Sequence, residues 1–251
     1  MRSLQRPCGA ALTRPCAALT RPCAALTRPC VFVALALLCG CGEFVAVGNV
    51  VPNAKTRLFW ERLVAYTVRV SVADGSWGSG VLIPGGKVLT AEHIIEKFKT
   101  ASVYRTKLQP DGSIRDGTWY PAEVLDTDKR RDLALLALRH PSPDLPAAPI
   151  GNSAKLSVGE IVYRLGRGPD VWMTYGRITS LEVYKKDTRT RLFAIATLGG
   201  AGSSGGPVFT RDGRLVGISV MAGCIPFTFF RCRYPDYAVP VNYAYEKLLH
   251  R

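Results

Sequence analysis

Short runs rich in Val, Ile, Leu, Thr and Tyr recur along the chain, as in Gly78–Pro84, Lys87–Thr90, Asp132–Leu138, Gly213–Ser219 and Tyr237–Val241. Each is four to eight residues long and ends at glycine, proline or a polar turn. A segment that short closes too few helical turns to bury a stripe, but it suffices for a strand. With 24 Gly and 17 Pro spread between such runs, the pattern suits an all-β barrel or sandwich. Only the tail reads clearly as helix, with Asn242 as its N-cap and helix-forming residues through Leu249. At 251 residues and 47% hydrophobic content, the chain can bury a core as one large domain or two small ones.

The first forty residues follow different rules. Residues 6–30 repeat Arg-Pro-Cys-(Gly/Ala)-Ala-(Ala)-Leu-Thr, with cysteines at 8, 16, 23 and 30. Proline at 15, 22 and 29 interrupts any helix, and the cysteine spacing does not match paired metal ligands, so no metal or cofactor is expected. Behind these arginines, Val31–Leu38 is an apolar stretch too short to span a bilayer and right for a signal sequence. It runs into Leu38-Cys39-Gly40-Cys41-Gly42, which resembles a bacterial lipobox and makes Cys41 the candidate lipid anchor. The expected organisation is a signal segment over 1–41, a tether over 42–58 and a folded domain over 59–251. The protein is therefore expected to be exported to a bacterial cell envelope, either held at the membrane by lipid on Cys41 or, after plain signal cleavage, in the periplasm, with a retained anchor as the third outcome.

The formal charge is +14, of which five arginines lie in the first forty residues, leaving 28 basic against 19 acidic side chains. Clusters at Lys129-Arg130-Arg131 and Lys185-Lys186 read as solvated surface charge. No zinc-finger spacing, RNA-recognition signature or basic helix accompanies them, so nucleic acid is not expected as a partner. Beyond the leader, Cys224 and Cys232 can pair in an oxidising compartment or remain two buried thiols.

The most specific segment is Gly199–Val208, a glycine-dense loop ahead of a strand-like Pro207–Thr210. Its order, Gly202-Ser203-Ser204-Gly205-Gly206-Pro207, resembles the signature of the trypsin-like serine peptidases and puts Ser204 at the nucleophile position. A serine hydroxyl is a weak nucleophile, so it needs a histidine to accept its proton. Of three histidines, His140 lies in a proline-rich stretch and His250 in the tail. His93 follows Gly78–Pro84 and Lys87–Glu92 in a segment similar to the L-T-A-x-H strand of the same family. A carboxylate must hold that imidazole, and Asp132, opening Asp-Leu-Ala-Leu-Leu, matches the family's acid. Asp126 and Asp128 could serve under a shifted register. The chain order His, Asp, Ser agrees with the chymotrypsin-type arrangement.

Further matches at Gly151–Ser153, Val158–Tyr163, Tyr175–Ser180, Gly213–Ser219 and Tyr237–Val241 spread the resemblance over about residues 60–251 and look closest to the bacterial HtrA-type branch. The resemblance implies two packed six-stranded antiparallel β-barrels, at about 59–140 and 147–240, with a short C-terminal helix. It implies a serine endopeptidase acting on proteins or peptides, with the N–H groups of Gly202 and Ser204 as oxyanion hole. Leu198 matches a pocket-floor position and suits an apolar side chain. Asp236 is a second pocket candidate that would suit Arg or Lys, or else a solvated turn residue.

Two departures from the family matter. Ser203 stands where digestive relatives carry an acid, so their activation switch is not implied. The chain ends just after the terminal helix, which leaves no length for the PDZ domains of HtrA-type proteins. The alternative to an enzyme is an inactive, envelope-anchored binding module of the same fold.

Overall fold

The structure is a computed structural model that describes residues 52–167, 171–197, 202–221 and 236–249. The leader repeats, Cys41, Leu198, Cys224, Cys232 and His250 lie outside the described residues. Among the described residues, twelve strands close into two six-stranded barrels. The first contains β1 (Thr67–Ser71), β2 (Trp77–Ile83), β3 (Lys87–Thr90), β4 (Thr100–Leu108), β5 (Ile114–Asp128) and β6 (Leu133–Leu138), in the order β1-β2-β3-β6-β5-β4. The second contains β7 (Ile161–Arg167), β8 (Val171–Tyr184), β9 (Arg191–Ile195), β10 (Pro207–Phe209), β11 (Leu215–Met221) and β12 (Asp236–Pro240), in the order β10-β11-β12-β9-β8-β7. Every pairing between these strands is antiparallel. Closure removes the open edges that would otherwise expose unpaired backbone groups.

The apolar runs seen in sequence line the two interiors. Val68, Val70, Val81, Val88, Leu89, Val103, Leu133 and Leu136 are fully buried in the first barrel. Val162, Ile178, Phe193, Ile195, Val208, Val216 and Ala238 form a separate core in the second. Each of the Val, Leu, Ile and Phe side chains contributes about 1.5–3 kcal/mol on burial. Gly217 shows how closely the second barrel is filled: a Cβ there would lie 2.5 Å from the Phe193 ring.

Helix α1 (Arg57–Tyr66) was not legible in the sequence, because its apolar stripe is brief. Trp60, Leu63 and Val64 make one buried face at i, i+3 and i+4. Phe59 and Trp60 meet Tyr163 of β7 edge-on, at 4.8 and 5.6 Å between ring centroids, so the helix ties the first barrel to the second. Thr106 Oγ1 lies 2.6 Å from the carbonyls of both Val64 and Thr67 and donates its one proton to either, which closes the helix end.

The tail differs from expectation in its start. Helix α3 spans Val241–Ala244 with Pro240 at the cap position and no side-chain cap, and a π-helical turn continues it through Tyr245–Leu249. Asn242 is inside the helix rather than at its cap. Its side-chain oxygen accepts from Ser153 N at 2.9 Å and its amide donates to Asn152 Oδ1 at 2.9 Å. Those orphan groups of the 3₁₀ turn Ser153–Lys155 compete successfully for the Asn side chain.

Candidate active site

His93 lies in α2 (Glu92–Ile95), a single helical turn that directly follows β3. Its backbone N–H donates to Asp132 Oδ1 at 3.0 Å, and its ring Nδ1 contacts Oδ1 at 3.0 Å and Oδ2 at 2.8 Å. An ionised carboxylate only accepts, so Nδ1 carries the proton in this pair. The neutral ring then presents Nε2 as an acceptor. The hydrogen bond to Asp132 raises the His93 pKa above its usual 6.5, more than burial lowers it. Burial pushes the Asp132 carboxyl up, but its bonds to His93 outweigh that and leave it below its usual value. Lys185, in the β8–β9 connection, acts on both groups and favours the ionised carboxylate.

Asp132 holds a backbone conformation that non-glycine residues seldom adopt, with φ of 58°. Such a conformation costs roughly 1–2 kcal/mol, and aspartate tolerates it better than most residues. The turn before it supplies the constraint. Arg131 N donates to Asp128 O and Oδ1, both at 3.1 Å, while the Arg131 guanidinium pairs with Asp128 Oδ2 at 2.8 Å. Arg131 also lies over the Tyr243 ring at 4.5 Å. The register therefore brings Asp132 to His93, leaving Asp128 to Arg131 and Asp126 to Thr127 N. His140, by contrast, is exposed.

Ser204 reaches this region through β2. Ser79 N donates to the Ser204 carbonyl at 2.8 Å, and Ser79 Oγ donates to the Gly202 carbonyl at 2.5 Å while accepting from Arg167 N at 2.6 Å. Thr90 Oγ1 donates to Ser79 O at 2.6 Å. Gly205, at φ of 80°, sits so close that a Cβ would lie 2.1 Å from Ser79 O and 2.9 Å from Ala91 N. The serine turn is thus pressed against the end of β3, two residues before His93. From the second barrel, Gly205 N donates to Ser219 O at 2.6 Å and Ser219 N to Gly206 O at 2.8 Å. Ser203 is buried against Gly166, where a Cβ would lie 2.8 Å from Ser203 Cα. Gly202 is also in the left-handed region, at φ of 84°.

Four contributors escaped sequence reading: Ser79, Thr90, Ser219 and Lys185. Ser79 lies in the Gly-Ser-Gly of β2, and the close approach that glycines permit was the available signal. Asp236 is not a solvated turn residue. It is 2% exposed and its Oδ2 lies 3.1 Å from the Arg164 guanidinium, so its charge is met inside the protein. The basic cluster is also engaged: Lys129 pairs with Glu96, Arg131 with Asp128, and Arg130 Nε donates to Thr188 O at 3.3 Å.

The family model of a trypsin-like peptidase domain matches residues 78–218. A putative protease Do-like 14 of Arabidopsis thaliana is 29% identical over 177 residues, covering 64% of this chain and 41% of the relative. A probable periplasmic serine endoprotease DegP-like of Marinomonas sp. (strain MWYL1) is 34% identical over 148 residues, covering 57% of this chain and 29% of the relative. The chain thus spans less than half the length of these relatives. Among solved structures, the HtrA-type protease AlgW with tripeptide superposes with a TM-score of 0.63 at 22% identity, over 78% of this chain and 62% of that one. The MamO protease domain from Magnetospirillum magneticum gives 0.57 at 22% identity, over 75% and 98%. Those two likenesses show the shared fold, and the match across residues 78–218 shows that the chain belongs to the trypsin-like peptidase domain family.

Proposed function

We propose that this protein is an exported serine endopeptidase that cleaves protein or peptide substrates through an acyl-enzyme on Ser204. His93 Nε2 takes the Ser204 hydroxyl proton as Oγ attacks the scissile carbonyl carbon. Asp132 keeps the imidazole in the tautomer that can accept and stabilises the imidazolium that forms. The N–H groups of Gly202 and Ser204 bind the oxyanion, each donor being worth about 3–4 kcal/mol. His93 then gives its proton to the leaving amine as the C–N bond breaks. A water molecule, deprotonated by the same ring, hydrolyses the ester and restores Ser204.

The observation that carries this reading is the paired contact of His93 Nδ1 with both Asp132 oxygens. The other ring nitrogen is left for the serine turn that β2 holds alongside. The test is casein cleavage by the purified domain, which Ser204→Ala and His93→Ala should each abolish. Undiminished cleavage by Ser204→Ala would overturn the assignment. A catalytically inactive binding module would show no cleavage even in the parent protein.

The same proposal has the protein in a bacterial envelope, anchored through lipid on Cys41, with the residues between Cys41 and α1 as tether. The support is the apolar stretch at 31–38 and the cysteine that follows it; a periplasmic name among the relatives agrees with export. Cys41→Ser should release the protein from the membrane fraction, and unchanged partitioning would contradict lipid attachment there.

A further inference from the structure

A buried charge pair lies behind the serine turn, inside the second barrel. Arg164 is 1% exposed and belongs to β7, whose neighbouring Val162 faces the same apolar core. Its register partner on β8 is Thr174, and Asp236 opens β12 opposite Ile195. Arg164 Nη1 and Asp236 Oδ2 are 3.1 Å apart but not aligned as a hydrogen bond, and Thr174 Oγ1 beside them has no partner. A buried ion pair with imperfect geometry is a poor source of stability, because apolar residues of similar volume do as well or better. Its place in the hydrogen-bond network gives it another use.

Arg164 Nε donates to Ser219 Oγ at 2.8 Å. Ser219 is itself bracketed by the serine turn, through Gly205 N to Ser219 O at 2.6 Å and Ser219 N to Gly206 O at 2.8 Å. The path from Asp236 through Arg164 and Ser219 therefore ends on the peptide that follows Ser204. From the other side, a Cβ on Gly206 would lie 2.2 Å from Leu165 O, so β7 also abuts the turn directly.

We propose that Arg164 and Asp236 are positioning residues for the nucleophile, acting through Ser219 to fix the Gly205–Gly206 segment so that Ser204 meets its base and its oxyanion donors. This rests on Ser204 being the nucleophile. Burial pushes the Asp236 carboxyl up to about 6 while Arg164 pulls it down, and burial also lowers the Arg164 guanidinium while Asp236 raises it. Arg164 has a fixed fork of donors, with Nε bonded to Ser219 and Nη1 within ion-pair distance of the acid.

The test uses the full chain and a fluorophosphonate probe, reading the limiting labelling rate separately from the probe concentration at half-saturation. The double variant Arg164→Met/Asp236→Leu removes both charges together, so no buried ion is left without a partner. Its melting temperature should stay within a few degrees of the parent. Its limiting rate should fall at least tenfold, with the half-saturating concentration little changed. Ser219→Ala, which deletes one atom, should lower the same rate about fivefold and serves if the double variant does not fold. A double variant or Ser219→Ala labelled at the parent's rate would overturn the positioning role while leaving the serine assignment intact. Failure of the serine assignment would look different, with Ser204→Ala labelled as well as the parent.

Discussion

The main-chain N–H of Ser79 donates to the carbonyl of Ser204 at 2.8 Å, and the hydroxyl of the same Ser79 donates to the carbonyl of Gly202 at 2.5 Å. One buried residue of the first barrel thus holds the carbonyls on both sides of Ser203 in the second. Replacing Ser79 with Ala leaves the Gly202 carbonyl and the Arg167 N–H without that hydroxyl, at a cost of ~1–3 kcal/mol. Casein cleavage by Ser79→Ala should fall by at least tenfold, and the melting temperature by several degrees. Parental turnover would show that the loop keeps its shape without this anchor.

Gly205 permits the approach that makes those bonds possible. A Cβ there meets Ser79 O at 2.1 Å and the backbone N of Ala91 at 2.9 Å, from a φ of 80°. Backbone strain alone costs an alanine ~1–2 kcal/mol, and the clash with backbone adds to it. Gly205→Ala should therefore lose at least about 2 kcal/mol by denaturant unfolding and show no detectable peptidase activity. Gly75, with similar φ and open space around it, is the control: Gly75→Ala should bear only the backbone strain and retain activity.

The pair of His93 and Asp132 sets the pH dependence. Asp132 raises the His93 pKa above 6.5, and the proposed mechanism uses the neutral ring as base, so turnover should be lost as pH falls through a value above 6.5. The stability that the charged pair contributes runs the other way. For His93 it is fully present below about 6.5 and is lost as pH rises through the folded value. For Asp132, whose pKa is lowered from 3.8, it is present above 3.8 and lost as pH falls through the folded value. Asp132→Asn should lower kcat by ~10⁴ and favour the wrong tautomer, and it should move the acidic limb of the profile toward lower pH. An unshifted limb in that variant would mean another group governs it.

Asp116 links the barrels. Its Oδ2 takes Arg69 from β1 at 2.8 Å, and its Oδ1 takes Arg167 from β7 at 2.9 Å. The groups are partly exposed, so the network is worth only ~1 kcal/mol. Asp116→Ala should lower the melting temperature by about 2–4 °C, and high salt should narrow the gap between variant and parent. A loss that is independent of salt would point to packing instead of charge.

What the sequence made legible was what depends on neighbours in the chain. The runs at 78–84, 87–90 and 132–138 became β2, β3 and β6 because period and turn residues act locally. The segments around His93, Asp132 and Ser204 carried enough order to be compared with a family. Helix α1 was missed because three buried residues in ten make a faint stripe, and its burial depends on Tyr163, a hundred residues away. Asn242 looked like a cap, but Ser153 and Asn152, distant in sequence, claimed its side chain. Arg164 carried no signal in the sequence, since only the closed second barrel reveals that it is inside with Asp236. Ser79 was visible only as part of the Gly78–Pro84 run, because its role depends on β2 meeting the serine loop.

The central claim is that one serine hydroxyl is made reactive by His93, and the most direct measurement is the site of its covalent capture. After exposure of the folded protein to a fluorophosphonate, peptide mapping by mass spectrometry should find a single phosphonyl adduct, on Ser204, and none in His93→Ala. An adduct on a different residue, or equal labelling of Ser204 without His93, would contradict it.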